Sequence, residues 1–250
     1  MSTIYILWLR QLKRYFRSKA RIIGSLGQPL LFLVALGFGL GSIYQKAEGG
    51  SYIQFIAPGI VSMGILFTAI FSGIEIIWDR QFGFLKETLV APTSRLQIMI
   101  GRTLGGATVA SLQGVLIILL SLIIGFRPHN IMLLPLALVF MILIALFFTA
   151  LGTAIASLLD DMQGFQLIIN FLVMPLFFLS GALFPLQGVP KFIEIIARIN
   201  PLAYGVDGLR GTLSFANSSQ FGLSHDFSIL SILTLVVLII GSYLFSKIEV

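Results

Sequence analysis

The hydrophobic positions of this 250-residue chain fall into six long blocks that contain no Asp, Glu, Lys or Arg. A membrane-spanning helix needs about 20 mostly apolar residues to cross the hydrocarbon core. Each block reaches that length, so the pattern predicts an all-α polytopic membrane protein with six transmembrane helices. We expect the spans near residues 22–44, 55–78, 104–126, 132–157, 165–185 and 227–246.

The distribution of Lys and Arg between the blocks predicts the orientation. With the N-terminus inside, eleven of the 16 Lys and Arg residues fall on the inner side and five on the outer side. An excess of these residues marks cytoplasmic loops. Both termini are therefore expected in the cytoplasm, with the chain in the plasma (inner) membrane. The first apolar block exceeds the 7–15 residues of a signal-peptide core, so we expect a retained helix.

Composition narrows the possible functions. Hydrophobic residues make up 57% of the chain and charged residues 10%, whereas a soluble domain has roughly 25% charged residues. The chain has a net charge of +6, and its charged residues lie mostly between the apolar blocks. This placement favours contact with lipid headgroups over nucleic acid. The absence of cysteine excludes disulfides, thiolate metal sites and thiol nucleophiles.

The N-terminal segment, residues 1–21, has the pattern of a helix lying in the membrane surface. Apolar side chains including Trp8 recur on one side, and basic ones occupy the other: Arg10, Lys13, Arg14, Arg17 and Arg21. A basic amphipathic helix with Trp at the boundary is typical of the membrane interface. The alternative, that these residues only fix the orientation of the first span, stays open.

The cytoplasmic connection, residues 79–103, contains a second short helical pattern from Arg80 to Ala91, which Pro92 ends. Phe82, Leu85 and Leu89 share one face of such a helix. This apolar ridge either lies on the bilayer or docks in a groove of a soluble partner.

The outer connection, residues 186–226, is too apolar for an ordinary loop. It predicts two short helices, one after Pro190 and one after Asn200-Pro201. Neither can cross a bilayer, so we expect a re-entrant or interfacial hairpin; a hairpin resting on the outer leaflet is the alternative. Asp207 and Arg210 are spaced to pair on one helical face.

The chain lacks a catalytic constellation. It has no phosphate-binding loop, and no predicted span contains a histidine that could activate Ser180. Glu75 is the one charge well inside a predicted span, and we expect it to pair with Arg80 or a neighbouring Lys. An ion-coupled carrier needs more ionisable groups at this depth. Asn170 lies inside the fifth predicted span. We expect its amide to be buried, and a buried amide needs hydrogen-bond partners.

Three blocks of sequence resemble the membrane permease subunit of type-2 ATP-binding-cassette (ABC-2) exporters. They are Asp79–Glu87 with Ala91–Arg95, Asn170–Pro175 with Leu179–Gly181 and Phe184–Pro185, and Asn200–Arg210. The third block looks most like the drug-export branch, as in daunorubicin-resistance permeases. With the six-span layout, the resemblance covers nearly the whole chain.

The resemblance implies a subunit that pairs with a second copy of itself and docks a separate ATPase, where ATP and magnesium bind. No cofactor is expected in this chain. The implied coupling residues are Arg80, Phe82, Gly83, Phe84, Leu85, Glu87 and Pro92. The interfacial helix, with Trp8, Arg10, Arg14 and Arg17, would brace that contact. Substrate would follow a pathway that includes Asn170 and Ser180 and would leave under the outer hairpin. The residues implied for that hairpin are Pro190, Asn200, Pro201, Tyr204, Asp207 and Arg210.

The expected cargo is hydrophobic or amphipathic, such as a drug or a lipid-like molecule, because apolar pockets favour apolar ligands. Phe is abundant, with 22 copies, against 2 Trp and 6 Tyr, which suits such a cargo better than a sugar. Export of a lipid-linked polysaccharide or oligosaccharide is the alternative. A membrane anchor or assembly protein that transports nothing, and a regulated passive channel, are the alternatives from other classes.

Overall fold

The computed structural model describes residues 2–48, 50–84, 93–214 and 219–247, and all regular structure within them is helical. A short 3-10 turn, Ile131–Leu133, precedes α7. The predicted class, an all-α polytopic membrane protein, is confirmed. The helices are α1 (Thr3–Arg17), α2 (Lys19–Gly39), α3 (Gly41–Glu48), α4 (Tyr52–Phe71), α5 (Ile74–Gln81), α6 (Arg95–Ile124), α7 (Leu134–Ser157), α8 (Met162–Phe178), α9 (Lys191–Ile199), α10 (Pro201–Leu213) and α11 (Leu223–Ser246).

Five helical segments in the described part of the chain are long and apolar enough to cross a membrane. They are α2, α4 continued by α5, α6, the 3-10 turn with α7, and α11. The sixth predicted span corresponds to α8, which has 17 residues. At 1.5 Å per residue α8 is about 25 Å long, shorter than the roughly 30 Å hydrocarbon core. The count of six spans therefore stays a prediction.

Helix α4 lies at the centre of the bundle. Fourteen of its 20 residues are buried, and it packs against α2, α6, α7 and α10. By contrast, only three of the 21 residues of α2 and five of the 24 residues of α11 are buried. Helices at the rim of a membrane bundle face lipid or another protein, which explains this difference.

The centre of the bundle contains a close contact between two backbones. Gly73 follows α4 and Gly152 lies in α7, and the two segments cross there. A Cβ on Gly73 would lie 2.4 Å from the Gly152 carbonyl oxygen, and one on Gly152 would lie 2.3 Å from the Ile70 carbonyl oxygen. Residues without side chains let helices approach this closely.

The bundle has two chemically different ends. At the basic end, α1, α5, the start of α6, the turn between α7 and α8 and the end of α11 meet. Arg95 at the start of α6 donates to the Ser246 carbonyl at the end of α11, so both ends of the described chain lie here. At the hairpin end, α10 packs against the opposite ends of α4, α7 and α8, and α9 packs against α10.

Candidate functional site

Helix α1 is docked along the first half of α6. A Cβ on Gly105 would lie 2.6 Å from Cγ of Gln11, so the two helices approach closely only because this position has no side chain. Trp8 Nε1 donates to Thr108 Oγ1 at 3.0 Å. The predicted interfacial helix therefore uses Trp8 for a contact within the protein. Its end also differs from the predicted boundary at residue 21, because Ser18 separates α1 from α2.

Tyr15 adds a buried polar contact between α1 and α6. Its hydroxyl donates to Gln113 Oε1 at 2.9 Å. Burial raises the pKa of Tyr15, so the hydroxyl keeps its proton and remains a donor.

Asp79, on α5, joins three helices through its carboxylate. Arg10 of α1 lies 3.1 Å from one oxygen, and Arg102 of α6 lies 2.5 Å from the other. Arg102 is 4% exposed and Asp79 is 6% exposed. A buried guanidinium without its carboxylate is strongly destabilising, so Asp79 fixes α1, α5 and α6 relative to one another.

Glu75 lies one helical turn before Asp79 and faces the same side. Its carboxylate accepts from Arg21 at 2.9 Å and lies 3.5 Å from Arg14. The expectation that Glu75 pairs with Arg80 or a lysine was wrong. The basic face of α1 points toward α5, and this brings Arg14 to Glu75 instead.

Arg80 is turned toward the end of α7. It donates to the carbonyl oxygens of Leu159 at 3.1 Å and Ser157 at 3.4 Å, and it pairs with Asp160. The last carbonyls of a helix lack partners within that helix, and Arg80 supplies donors for the end of α7. Trp78 contacts Met162 Sδ through Nε1 at the start of α8. The end of α5 thus holds the turn between α7 and α8.

The predicted coupling segment begins with a turn. Arg80 belongs to α5, and Gly83 has a φ of +77°, a conformation that ends a right-handed helix. The helix predicted from Arg80 to Ala91 therefore does not begin at Arg80. Phe82 at this turn is 82% exposed. The guanidinium of Arg10 lies 4.0 Å above the Phe84 ring, which is cation–π geometry.

The remaining predicted coupling residues, Leu85, Glu87 and Pro92, lie outside the described residues. A groove runs between α1 and α5 beside the exposed turn. Its lining includes four basic residues of α1 and four aromatic residues: Arg10, Lys13, Arg14, Arg17, Tyr5, Trp78, Phe82 and Phe84. Arg17 is exposed. The groove has the charge and apolar surface to contact a protein or a headgroup.

At the hairpin end, Asn200 holds the junction between α9 and α10. Pro190 precedes α9 and Pro201 begins α10, a position where proline is favoured. The Asn200 amide accepts from Leu202 N at 3.0 Å and donates to the Leu176 carbonyl at 2.6 Å. Tyr204 donates to the Arg198 carbonyl across the same junction. Asn200 thereby links both short helices to the end of α8.

The charged residues of α10 are held by backbone groups. Asp207 accepts from Gln220 N and Phe221 N, each at 2.8 Å, and from Ser219 Oγ at 2.9 Å. Arg210 donates to the Gly181 carbonyl at 2.8 Å. Burial lowers the pKa of Arg210 to about 10, so its guanidinium remains charged at neutral pH. Asp207 holds the segment before α11, and Arg210 holds the turn after α8.

The two predicted pathway residues occupy different environments. Asn170 on α8 is exposed, although we expected a buried amide. Ser180 is buried; its hydroxyl donates to the Phe177 carbonyl at 2.7 Å and accepts from Ala182 N at 3.3 Å. Ser180 therefore stabilises the turn after α8.

Sequence reasoning missed Arg102 and the pairing of α1 with α5. The available signal was a set of carboxylates and arginines at the ends of apolar blocks, but the sequence does not give their partners. In the described part of the chain, no group of three or more His, Cys, Asp or Glu side chains is placed to hold a metal ion.

The sequence matches the family described as ABC-2 type transporter over residues 2–214. The transport permease ycf38 of Cyanophora paradoxa is 31% identical, and the alignment covers 99% of this chain and 89% of that protein. Nodulation protein J of Rhizobium leguminosarum bv. viciae is 31% identical over 78% of this chain and 75% of its own length. The ycf38 permease of Porphyra purpurea is 28% identical over 99% and 89%.

Proposed function

The chain belongs to the ABC-2 type transporter family, and we propose that it is the permease subunit of an ATP-driven exporter. ABC-2 permeases generally pair with an ABC ATPase. The proposed cargo is a hydrophobic or amphipathic molecule, moved outward from the cytoplasm or the inner leaflet. A second copy of the chain completes the proposed pathway.

One observation carries the coupling part of this proposal. Phe82, at the turn after α5, is exposed, while the same helix is tied by Asp79 to α1 and α6 and by Arg80 to the turn before α8. A partner that moves this turn would move several helices together. The basic end is therefore the proposed cytoplasmic face, consistent with its excess of arginine.

The experiment is to purify the protein with its candidate ATPase and to compare co-purification and ATP turnover for wild type and Phe82→Asp. Phe192→Asp is the matched control, because Phe192 is an exposed phenylalanine (63%) on α9 at the hairpin end. We expect Phe82→Asp to lose the complex and Phe192→Asp to keep it. Failure of the wild-type chain to bind the ATPase would favour a membrane anchor or a passive channel.

ATP turnover by the same complex can be used to rank candidate cargoes. An amphipathic drug or lipid-like molecule is expected to stimulate ATP turnover of the wild-type complex. Stimulation by a lipid-linked oligosaccharide alone would favour the alternative cargo. Because Phe82→Asp is expected to lose the complex, the ATPase mixed with this variant gives the turnover without coupling in both measurements.

A further inference from the structure

A cavity of about 200 Å³ lies between α2 and α4, where the end of α1 reaches them. Gly24 and Gln28 of α2 line it and are exposed, so the cavity opens on the outer surface of α2. Its volume is below the roughly 300–1,000 Å³ of pockets that enclose a small molecule. It has room for one end of a ligand whose other end extends outward.

The walls of the cavity are apolar and aromatic. Phe67 and Phe71 stand on successive turns of α4, and their rings stack with centroids 6.2 Å apart and planes 8° apart. Met63 adds a buried apolar side chain. Such a surface favours a flat or aliphatic apolar group.

The end of the cavity nearest α1 is polar. Arg21 lines it, and its side chain is 35% exposed. The Gln28 amide lies about two turns further along α2, on a helix that is long enough to span a membrane. A polar group exposed to hydrocarbon without a hydrogen-bond partner costs several kcal/mol. An occupant with hydrogen-bond acceptors would satisfy this amide.

The charges near Arg21 favour a negative occupant. Arg14 and Arg21 share a single carboxylate, that of Glu75, which leaves one positive charge in excess. Arg21 is also the last charged residue before the apolar run of α2. The cavity therefore joins an apolar wall to a cationic edge.

We propose that this cavity binds one end of an amphipathic anion, with its apolar body against Phe67 and Phe71 and its anionic group at Arg21. The assignment of this anion as cargo rests on the proposed function, whose substrate class it narrows. Binding itself requires no ATPase, so the two ideas can fail separately.

The chain offers a matched pair of positions for the test. A Cβ on Gly24 or on Gly27 would have no heavy atom within 4 Å, so both positions accept a side chain. Gly24 lines the cavity, and Gly27, three residues later on α2, is not part of the lining. Because the chain has no cysteine, Gly24→Cys and Gly27→Cys each introduce the single thiol.

The measurement is the rate of thiol alkylation by N-ethylmaleimide in phosphatidylcholine vesicles, with and without a probe. The probes are 8-anilinonaphthalene-1-sulfonate and N-phenyl-1-naphthylamine, which share an aromatic body but differ in the sulfonate. We expect the sulfonate probe to slow alkylation of Gly24→Cys at least five-fold and to leave Gly27→Cys unchanged. The neutral probe should protect Gly24→Cys much less.

Equal protection of both thiols would overturn the cavity as the site, and equal protection by both probes would overturn the preference for an anion. Protection of Gly24→Cys by phosphatidylglycerol in the vesicles, without probe, would support the anion site but overturn its assignment to cargo in favour of a lipid headgroup. As a second readout, Gly24→Trp should abolish enhancement of probe fluorescence by the protein, and Gly27→Trp should preserve it. Retained enhancement with Gly24→Trp would overturn the proposal.

Discussion

The two ends of the bundle both hold buried charges, but they hold them in different ways. At the basic end, Asp79 and Glu75 pair with arginine side chains from α1, α2 and α6. At the hairpin end, the Asp207 carboxylate accepts two backbone N–H groups and a serine hydroxyl, and Arg210 donates to a backbone carbonyl. The buried carboxylates are held by arginine side chains at the basic end and chiefly by backbone N–H groups at the hairpin end.

This difference has a physical consequence. A pair of charged side chains links two helices through several rotatable bonds, whereas a bond to the backbone fixes the position of the chain itself. The basic end combines these side-chain pairs with the exposed turn at Phe82. The hairpin end has α10 almost completely buried.

The largest expected effect comes from Asp79→Ala. It leaves the buried Arg102 guanidinium without its carboxylate and also releases Arg10. Removing one partner of a buried ion pair costs about 3–5 kcal/mol. We expect the free energy of unfolding in detergent, measured by denaturant titration, to fall by that amount. A loss below about 1 kcal/mol, the range of exposed pairs, would show that Arg102 is solvated in solution.

The next effect separates charge from hydrogen bonding at the hairpin end. Asp207→Ala leaves the amides of Gln220 and Phe221 without their acceptor. Both hydrogen bonds are only partly buried, and hydrogen bonds to a charged group contribute about 1.5–3 kcal/mol, so we expect a loss of about 2–3 kcal/mol in the same titration.

Asp207→Asn is the control, because its amide oxygen still accepts a hydrogen bond. It should recover at least half of the stability lost in Asp207→Ala. Asp79→Asn should recover little, since two guanidinium groups at Asp79 require a negative charge. Equal recovery at both positions would mean that the two ends hold their charges alike.

The sequence predicted the class of fold and the two short helices after Pro190 and Asn200, because both depend on local hydrophobic periodicity. The apolar blocks become helices, and Asn200-Pro201 separates α9 from α10 as its backbone chemistry requires. The length of α8 could not be predicted, because its apolar block continues past Phe178 while the turn at Ser180 and Gly181 ends the helix.

The partners of the charged residues could not be predicted from spacing. Asp79 pairs with Arg10, which is 69 positions away, and with Arg102, 23 positions away. Those contacts depend on how α1 docks on α6. That docking depends in turn on Gly105, and the sequence alone does not show that Gln11 packs against this glycine.

A smaller effect tests the docking of α1. Trp8→Phe keeps the aromatic packing but removes the Nε1 donor to Thr108. A single intramolecular hydrogen bond contributes about 0.5–1.5 kcal/mol, so we expect a loss of about 1 kcal/mol in the free energy of unfolding. Thr108→Val should cost a similar amount, and the double variant should cost less than the sum of both. Additive losses would contradict a direct Trp8–Thr108 bond.

The smallest expected effect comes from Glu194→Gln on α9. Glu194 pairs with Arg198 one turn later, at 2.8 Å, and both side chains are well exposed. Exposed pairs at this spacing contribute about 0.3–0.5 kcal/mol, because water and salt screen them. The free energy of unfolding should therefore fall by no more than about 0.5 kcal/mol, and the loss should vanish at high salt. A larger loss that persists in salt would mean that α9 is shielded from water, and that charge pairing also contributes to the stability of the hairpin end.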